Sequence, residues 1–224
     1  MVGSGNPIRV GPDIDADAAY VPPDPDSAAG YLATGAAGCG RTMANHWLQV
    51  IAAEDLDRSA RADIITLCEA AYKEDFGSLF DLLPGSVHVL ARGEHGRLVG
   101  HTAFVTRWLQ PAGQPLLRTA YIEAVATAPE SQRRGLATAA LDRVNEILAA
   151  DAVWELAALS PSDPGFYGRR GWELWRGPLA IRRGGGIEPT PADERVMIRR
   201  LPRTPATLDT NVLLTAEWRR GELW

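Results

Sequence analysis

Cysteine is scarce in this chain. Its 224 residues include two, Cys39 and Cys68; they lack metal-knuckle spacing and are too few for a disulfide framework. Cys68 falls in a helical pattern and reads as a small buried apolar residue. Such usage fits a reducing cytoplasm. Long apolar runs are missing too. None reaches the roughly 20 residues that a membrane-spanning helix needs, so no membrane partner is expected. No basic start leads into an apolar core, so the N-terminus does not read as a secretory signal. Basic excess is also lacking. The net charge is −5 and the pI ≈ 5.4, so the electrostatic footprint of a nucleic-acid binder is absent. The mild acidic bias is compatible with a cationic small-molecule partner. The four histidines, His46, His88, His95 and His101, form no ligand cluster in sequence, and no metal is expected.

What is present is ample apolar material. At 46% hydrophobic, the chain can bury the core of one domain. Residues 1–42 differ from the rest: they are rich in Gly, Ala, Pro and Asp, with PPDPD and GAAGCG runs and no apolar periodicity. They read as a flexible low-complexity extension. Met43, directly before the first patterned strand, is a candidate natural start. Residues 43–224 read as one domain. His46–Ile51 is a strand, and Asp55 or Asp57 can cap the helix after it. Ile64, Leu67, Cys68 and Ala71 form that helix's buried face. Phe76, Leu79, Phe80, Leu82 and Leu83 predict a second helix, stopped at Pro84-Gly85. Val87–Ala91 and Leu98–Trp108 pair as a hairpin around residues 93–96, and 110–115 is the next turn. Strands follow at 116–127, 154–159, 172–175, 179–182 and 196–201, with helices from Leu136 and Pro164. Residues 203–224 read as a C-terminal arm whose Trp-rich end folds back on the domain.

The stretch from Tyr121 to Ala149 organises the rest. An apolar strand ends near Thr127, and Gln132-Arg133-Arg134-Gly135 leads into an amphipathic helix read from Leu136, Ala140, Val144, Ile147 and Leu148. The first N–H groups of a helix have no partner inside it, and the macrodipole adds about half a positive charge there. Gly135 lets backbone approach an anion without a Cβ in the way. Two arginines add charge. The ligand inferred is a pyrophosphate. A P-loop is excluded because no Gly-Lys-Ser/Thr follows, and a Rossmann turn has more glycines.

At these residues the chain resembles the GNAT superfamily of acyl-CoA N-acyltransferases, whose signature Q/R-x-x-G-x-G/A is matched by Gln132, Gly135 and Ala137. The resemblance implies an α/β (α+β) GNAT fold: a mixed, mostly antiparallel twisted sheet with a splayed central strand pair and helices on both faces. It implies acetyl-CoA as cosubstrate. The backbone of Val125 and Thr127 would pair with the pantetheine arm, and Gln132, Arg133, Arg134, Gly135, Leu136, Ala137 and Thr138 would hold the pyrophosphate. Acetyl transfer to an amine needs a proton acceptor for the ammonium, a donor for the oxyanion and a donor for the leaving thiolate. Tyr167, in Phe166-Tyr167-Gly168-Arg169-Arg170-Gly171-Trp172, matches the segment in which this family's acid tyrosine stands. Glu123 is a carboxylate within an apolar strand beside the cofactor turn, where charged residues seldom sit without a partner. It can bind an ammonium and take its proton, directly or through water.

Further segments are similar to the aminoglycoside 2′-N-acetyltransferases, a GNAT branch. They are Lys73-Glu74-Asp75-Phe76, Tyr121–Ala126, Ala158-Leu159-Ser160, Tyr167–Trp172 and the ending Glu217–Trp224. This resemblance covers about Met43 to Trp224. It implies that Asp75, Glu123, Ser160, Glu222 and the Trp224 carboxylate line the substrate site, with the Trp224 carboxylate assisting Glu123. A second family acid after Asp75-Phe76 has Asp81 as its stand-in, in a more apolar stretch. A further one falls on Asp193 or Glu194. The reaction expected is acetyl transfer to a 2′-amine of an aminoglycoside, a resistance chemistry. Polyamines, amino sugars and peptide N-termini are the alternative acceptors, and an acyl-CoA-binding sensor is the non-catalytic one. A homodimer is the default assembly of such folds.

Overall fold

The computed structural model describes residues 42, 43, 46–221, 223 and 224. The expected extension, apart from the backbone of Thr42, and the expected site residue Glu222 lie outside the described residues.

The elements run β1 (Thr42–Met43), β2 (His46–Ala52), α1 (Arg58–Tyr72), α2 (Leu79–Leu82), β3 (Val87–Arg92), β4 (Leu98–Pro111) and β5 (Leu117–Thr127). They continue with α3 (Leu136–Ala150), β6 (Leu156–Leu159), α4 (Pro164–Gly168), β7 (Glu173–Leu174), β8 (Leu179–Arg183), β9 (Gly186–Pro189), β10 (Met197–Arg200) and β11 (Leu214–Glu217). Asp57 rather than Asp55 caps α1, its Oδ1 accepting from the Ala60 N–H at 2.7 Å. The helix buries Ile64, Leu67 and Cys68. The second helix is shorter than the apolar spacing predicts. Asp75 Oδ1 accepts from the Gly77 N–H at 2.7 Å, a local turn that keeps Phe76 out of the helix, and α2 starts only at Leu79. In α3 the stripe Leu136, Ala140, Leu141, Val144, Ile147 and Leu148 is buried. Its larger members contribute about 1.5–3 kcal/mol each relative to exposure.

The described strands form one mixed sheet in the order β1-β2-β3-β4-β5-β6-β10-β7, with β11 joining β4 to β8 and β9 pairing β8. The pairs are antiparallel except β5–β6 and β11–β8. Successive residues of β4 face opposite sides of the sheet. A Cβ added at Gly100 would point to Leu136 of α3, whereas His101 reaches Cys68 of α1. The two long helices therefore cover opposite faces. The parallel pair is splayed: β5 and β6 pair only through Thr119–Tyr121 and Leu156–Ala158. From Ile122 to Thr127, β5 is paired on its β4 side alone.

The arm after residue 203 does more than cover the domain. Its strand β11 enters the sheet, antiparallel to the end of β4 and parallel to β8. Gly177 makes this possible. A Cβ there would stand 1.9 Å from the Val212 carbonyl oxygen, which also accepts from the Trp175 indole at 2.8 Å. Backbone cannot yield as a side-chain end can. Gly177→Ala is expected to cost about 3 kcal/mol, the upper end of overpacking penalties. In a chain of this size that lowers Tm by roughly 6–12 °C. A melting curve within 2 °C of the parent, on a scale of about 2–4 °C per kcal/mol, would show that the arm can shift to make room.

Candidate active site

The turn after β5 has the form of an anion cradle. Arg133 (φ 61°) and Gly135 (φ 83°) both adopt left-handed backbone. Gly135 is the residue before α3, and no side chain among the described residues caps the helix, so the first N–H groups of α3 are left for a ligand. Gln132, Arg133 and Arg134 are exposed around it. Gln132 Nε2 reaches back to the Thr127 carbonyl at 3.5 Å. Thr127 Oγ1 is buried without a hydrogen-bond partner among the described residues. Thr138, in the first turn of α3, accepts through Oγ1 from Arg170 at 2.5 Å, which ties the helix start to α4. Residues 125, 127 and 132–138 thus lie along one path: an unpaired strand edge leading to an uncapped helix start. That geometry fits an extended arm ending in a pyrophosphate.

β5 carries a bulge beside this edge. Two steps along β4, from His101 to Ala103, span three along β5, from Ala126 to Glu123. Ala124 takes up the extra residue with φ 49°, an unusual value for a non-glycine. Strict alternation would send Glu123 and Val125 to one side and Ala124 to the other. Instead Glu123, Ala124 and Val125 all line a cleft of ≈ 390 Å³. Such a volume suits a small molecule. Tyr72, at the end of α1, donates to the Val125 carbonyl at 2.9 Å.

The same cleft is lined by Asp75, Ser160, Tyr167 and Trp224, four residues that the sequence places far apart. Asp81 does not belong to its wall; it is exposed on α2. Asp193 is exposed and Glu194 half-buried. Neither lines the cleft, although the charge of Glu194 acts on the Tyr121 phenol. Residues not singled out by sequence complete the wall: Tyr72, Glu74, Arg219 and Arg220.

Arg219 changes the reading of Glu123. Its Nη2 lies 2.6 Å from Glu123 Oε1, with both side chains mostly covered. The carboxylate does have a partner, and it comes from the chain's own tail. The tail is held by Arg107 of β4, which is 1% exposed. Arg107 donates from Nε to Glu217 Oε1 (3.2 Å), from Nη1 to the Leu223 carbonyl (2.7 Å) and from Nη2 to the Glu217 carbonyl (3.0 Å). Its guanidinium also lies 4.9 Å from the centre of the Tyr121 ring. Trp224, 2% exposed, is thereby placed in the cleft.

Tyr167 belongs to α4. Asp163 caps that helix, accepting from the Phe166 N–H at 3.2 Å, and Pro164 starts it. The Tyr167 ring packs edge-on against Phe166 and Trp172, with centroids 5.0 and 6.1 Å away. Burial pushes the phenol up to about 12; nearby Asp163 raises it further and Arg170 opposes.

On β3 and β4 lies a buried polar chain that sequence spacing did not reveal. His101 Nδ1 contacts the Ala124 carbonyl at 2.8 Å, and His101 Nε2 contacts His88 Nδ1 at 2.9 Å. His88 Nε2 contacts Ser86 Oγ at 2.9 Å, and Ser86 Oγ contacts the Leu83 carbonyl at 2.8 Å. A carbonyl only accepts, so His101 carries its proton on Nδ1. Its bare Nε2 then accepts from His88 Nδ1. Neutral rings and one hydroxyl supply three protons for these four contacts. A fourth proton would charge the pair. Burying an imidazolium costs several kcal/mol, whereas one more hydrogen bond returns about 1 kcal/mol. The neutral pair wins. Burial lowers His88 well below the ordinary histidine range, with His101 and Arg61 adding to it, and lowers His101 to about 4.

No group of three or more His, Cys, Asp or Glu among the described residues is arranged to hold a metal. No helix among them is long and apolar enough to cross a membrane.

Comparison with known proteins agrees with this geometry. Residues 56–175 match the family model for the acetyltransferase (GNAT) domain. The aminoglycoside 2′-N-acetyltransferase of Mycolicibacterium fortuitum is 33% identical over 184 residues, covering 80% of this chain and 92% of that protein. The GNAT family N-acetyltransferase YhbS from Escherichia coli, solved in complex with CoA, superimposes with a TM-score of 0.53 at 17% identity, over 80% of this chain and 94% of its own. An acyl-CoA N-acyltransferase from Pseudomonas aeruginosa does so with a TM-score of 0.51 at 14% identity, over 69% and 99%. At such identities the two structures speak for the fold alone. The family match spans more than half of the chain, which belongs to the GNAT acetyltransferases and is an acetyl-CoA-dependent N-acetyltransferase.

Proposed function

We propose that the chain acetylates the 2′-amino group of aminoglycosides, acting in the cytoplasm. The observation that carries this reading is the make-up of the cleft. It lies against the unpaired edge of β5, it is lined by Glu74, Asp75 and Glu123, and the chain's last residue, Trp224, is seated in it. A polycation is complementary to such a wall. The relative that shares a third of its residues carries the same acceptor in its name.

Acetyl-CoA, when bound, supplies an acetyl group activated as a thioester. Val125 and Thr127 receive the extended arm along the free edge of β5. The uncapped start of α3, from Gly135 to Thr138, receives the pyrophosphate with Gln132, Arg133 and Arg134. Glu123 binds the substrate ammonium, in competition with Arg219, and draws off its proton through water with help from the Trp224 carboxylate. Asp75 and Ser160 hold the remaining polar groups of the substrate, and a backbone N–H near Val125 receives the oxyanion. Tyr167 donates to the departing sulfur.

Arg219 and Arg220 favour a second acceptor class, an amine bearing an anionic group, such as a peptide terminus. Two cations in the wall weaken the attraction for a polycation and would pair with a carboxylate. Thiol release from acetyl-CoA separates the two. Aminoglycosides with a 2′-amine are expected to turn over, and those with a 2′-hydroxyl are not. Equal rates on both sets, or turnover confined to peptide amines, would overturn the aminoglycoside assignment.

A further inference from the structure

The polar chain under the bulge has no part in the chemistry above, yet it ends on the strand that does. Ser86, His88 and His101 are 0–1% exposed, and placing three polar side chains there is costly unless they are satisfied. The outer end of the chain is the Ala124 carbonyl. A bulged residue drops out of the regular ladder, and its backbone groups need other partners. His101 supplies one for Ala124, and Tyr72 supplies one for the next carbonyl, Val125. Both carbonyls of the bulge are therefore fixed by side-chain donors. Ala124 is also one of the few non-glycine residues at positive φ among the described residues, so its conformation is maintained by its surroundings and not by local preference.

We infer that His101, kept in its Nδ1–H tautomer by His88, is a positioning residue for acetyl transfer: it holds the Ala124 carbonyl, and through it the bulge that lays Glu123, Ala124 and Val125 along the cleft. The inference rests on this cleft being the acetyl-transfer site. His101 touches neither substrate in this scheme. It acts through the backbone, and His88 and Ser86 act through His101. Both rings must stay neutral for the relay to hold its direction; burial keeps them so, with His101 beside Cys68 and β5, and His88 beside Phe80 and close to Arg61.

Two variants separate positioning from packing. Asn at 101 keeps an N–H donor where Nδ1 stands; Leu keeps similar bulk without a donor. His101→Leu is expected to lower kcat by about 10- to 100-fold, the penalty of a misplaced reacting group, and to raise the KM for acetyl-CoA as well, because Val125 of the bulge receives the extended arm. His101→Asn is expected to recover most of kcat. A readout without substrate runs in parallel. Ring ¹⁵N signals should show both histidines protonated on Nδ1 at neutral pH. The Ala124 and Val125 amide signals should move in the Leu variant and return in the Asn variant. Failure of aminoglycosides to turn over with the parent would strike the acceptor assignment, while these NMR arms still decide the role of His101. An Nε2–H tautomer at His101, wild-type kcat in the Leu variant, or an Asn variant as slow as Leu at equal Tm would each overturn the inference.

Discussion

Tyr167→Phe is expected to lower kcat by about 100-fold, a usual contribution of one positioned proton donor, while leaving acetyl-CoA affinity and Tm unchanged. The hydroxyl makes no hydrogen bond to another described residue, and the ring is held by Phe166 and Trp172. Its removal therefore strands no partner and opens no cavity. The magnitude of the phenol's shift defines what the hydroxyl does. Burial pushes it up to about 12, whereas a free thiol lies near 8.5. Full proton transfer from that phenol to a thiolate would be uphill by roughly 5 kcal/mol, at 1.36 kcal/mol per pKa unit. Tyr167 is thus better suited to donating a hydrogen bond to the sulfur as negative charge develops than to parting with its proton. A consequence follows for pH. The phenol keeps its proton throughout the neutral range, so its ionisation shapes neither limb of the rate profile there, and the Phe variant should show the parental profile at reduced height. Stopped assays of kcat from pH 6 to 9, a range chosen to lie below the phenol's ionisation, read this directly. A kcat within twofold of the parent would move the donor role elsewhere.

How much of this was legible depends on whether the cause was local. Gln132, Gly135 and the stripe from Leu136 to Leu148 carry their own signals, a glycine where backbone turns left-handed and a helical repeat. Both are found where expected. The hairpin of β3 and β4 was equally plain. Strand β11 was not: Leu-Thr-Ala-Glu is four residues without a diagnostic pattern, and it is a strand because β4 and β8 offer it two edges. The same holds for β9, Gly186–Pro189, which exists by pairing with β8. Glu123 stood out as a carboxylate in an apolar strand, but its partner Arg219 is close only after the tail folds back. The bulge at Ala124 has no sequence mark at all, since alanine does not advertise positive φ. His88 and His101, thirteen residues apart, read as two unrelated histidines until antiparallel pairing of β3 and β4 brings their rings together.

Arg107→Met is expected to be the most damaging single change in stability. Arg107 is the largest fully buried polar side chain among the described residues, and three of its N–H groups are used on the tail. Methionine fills the volume but donates nothing. Glu217, 19% exposed, would keep the Trp108 N–H (3.1 Å) on its other oxygen yet lose its guanidinium, and the Leu223 carbonyl would lose its donor. Breaking a buried ion pair from one side costs about 3–5 kcal/mol, or roughly 6–20 °C in Tm for a chain of this length. The functional consequence is separate. Leu223 precedes Trp224, and Gly221 of the same tail packs so closely on Leu82 that an added Cβ would meet it at 3.1 Å. Released at Leu223, the tail loses its register in the cleft, and the KM for the amine is expected to rise about tenfold with kcat less affected, the pattern of lost ground-state binding. The double variant Arg107→Met, Glu217→Leu tells the two effects apart. It removes the Glu217 carboxylate that the single variant strands, but the Trp108 N–H loses its acceptor and Arg182 a nearby counter-charge, so part of the lost stability should return. The tail anchor is still missing, so the amine KM should remain high. A double variant that recovers Tm and KM together would show that Arg107 serves the fold alone, and that Trp224 reaches the cleft without it.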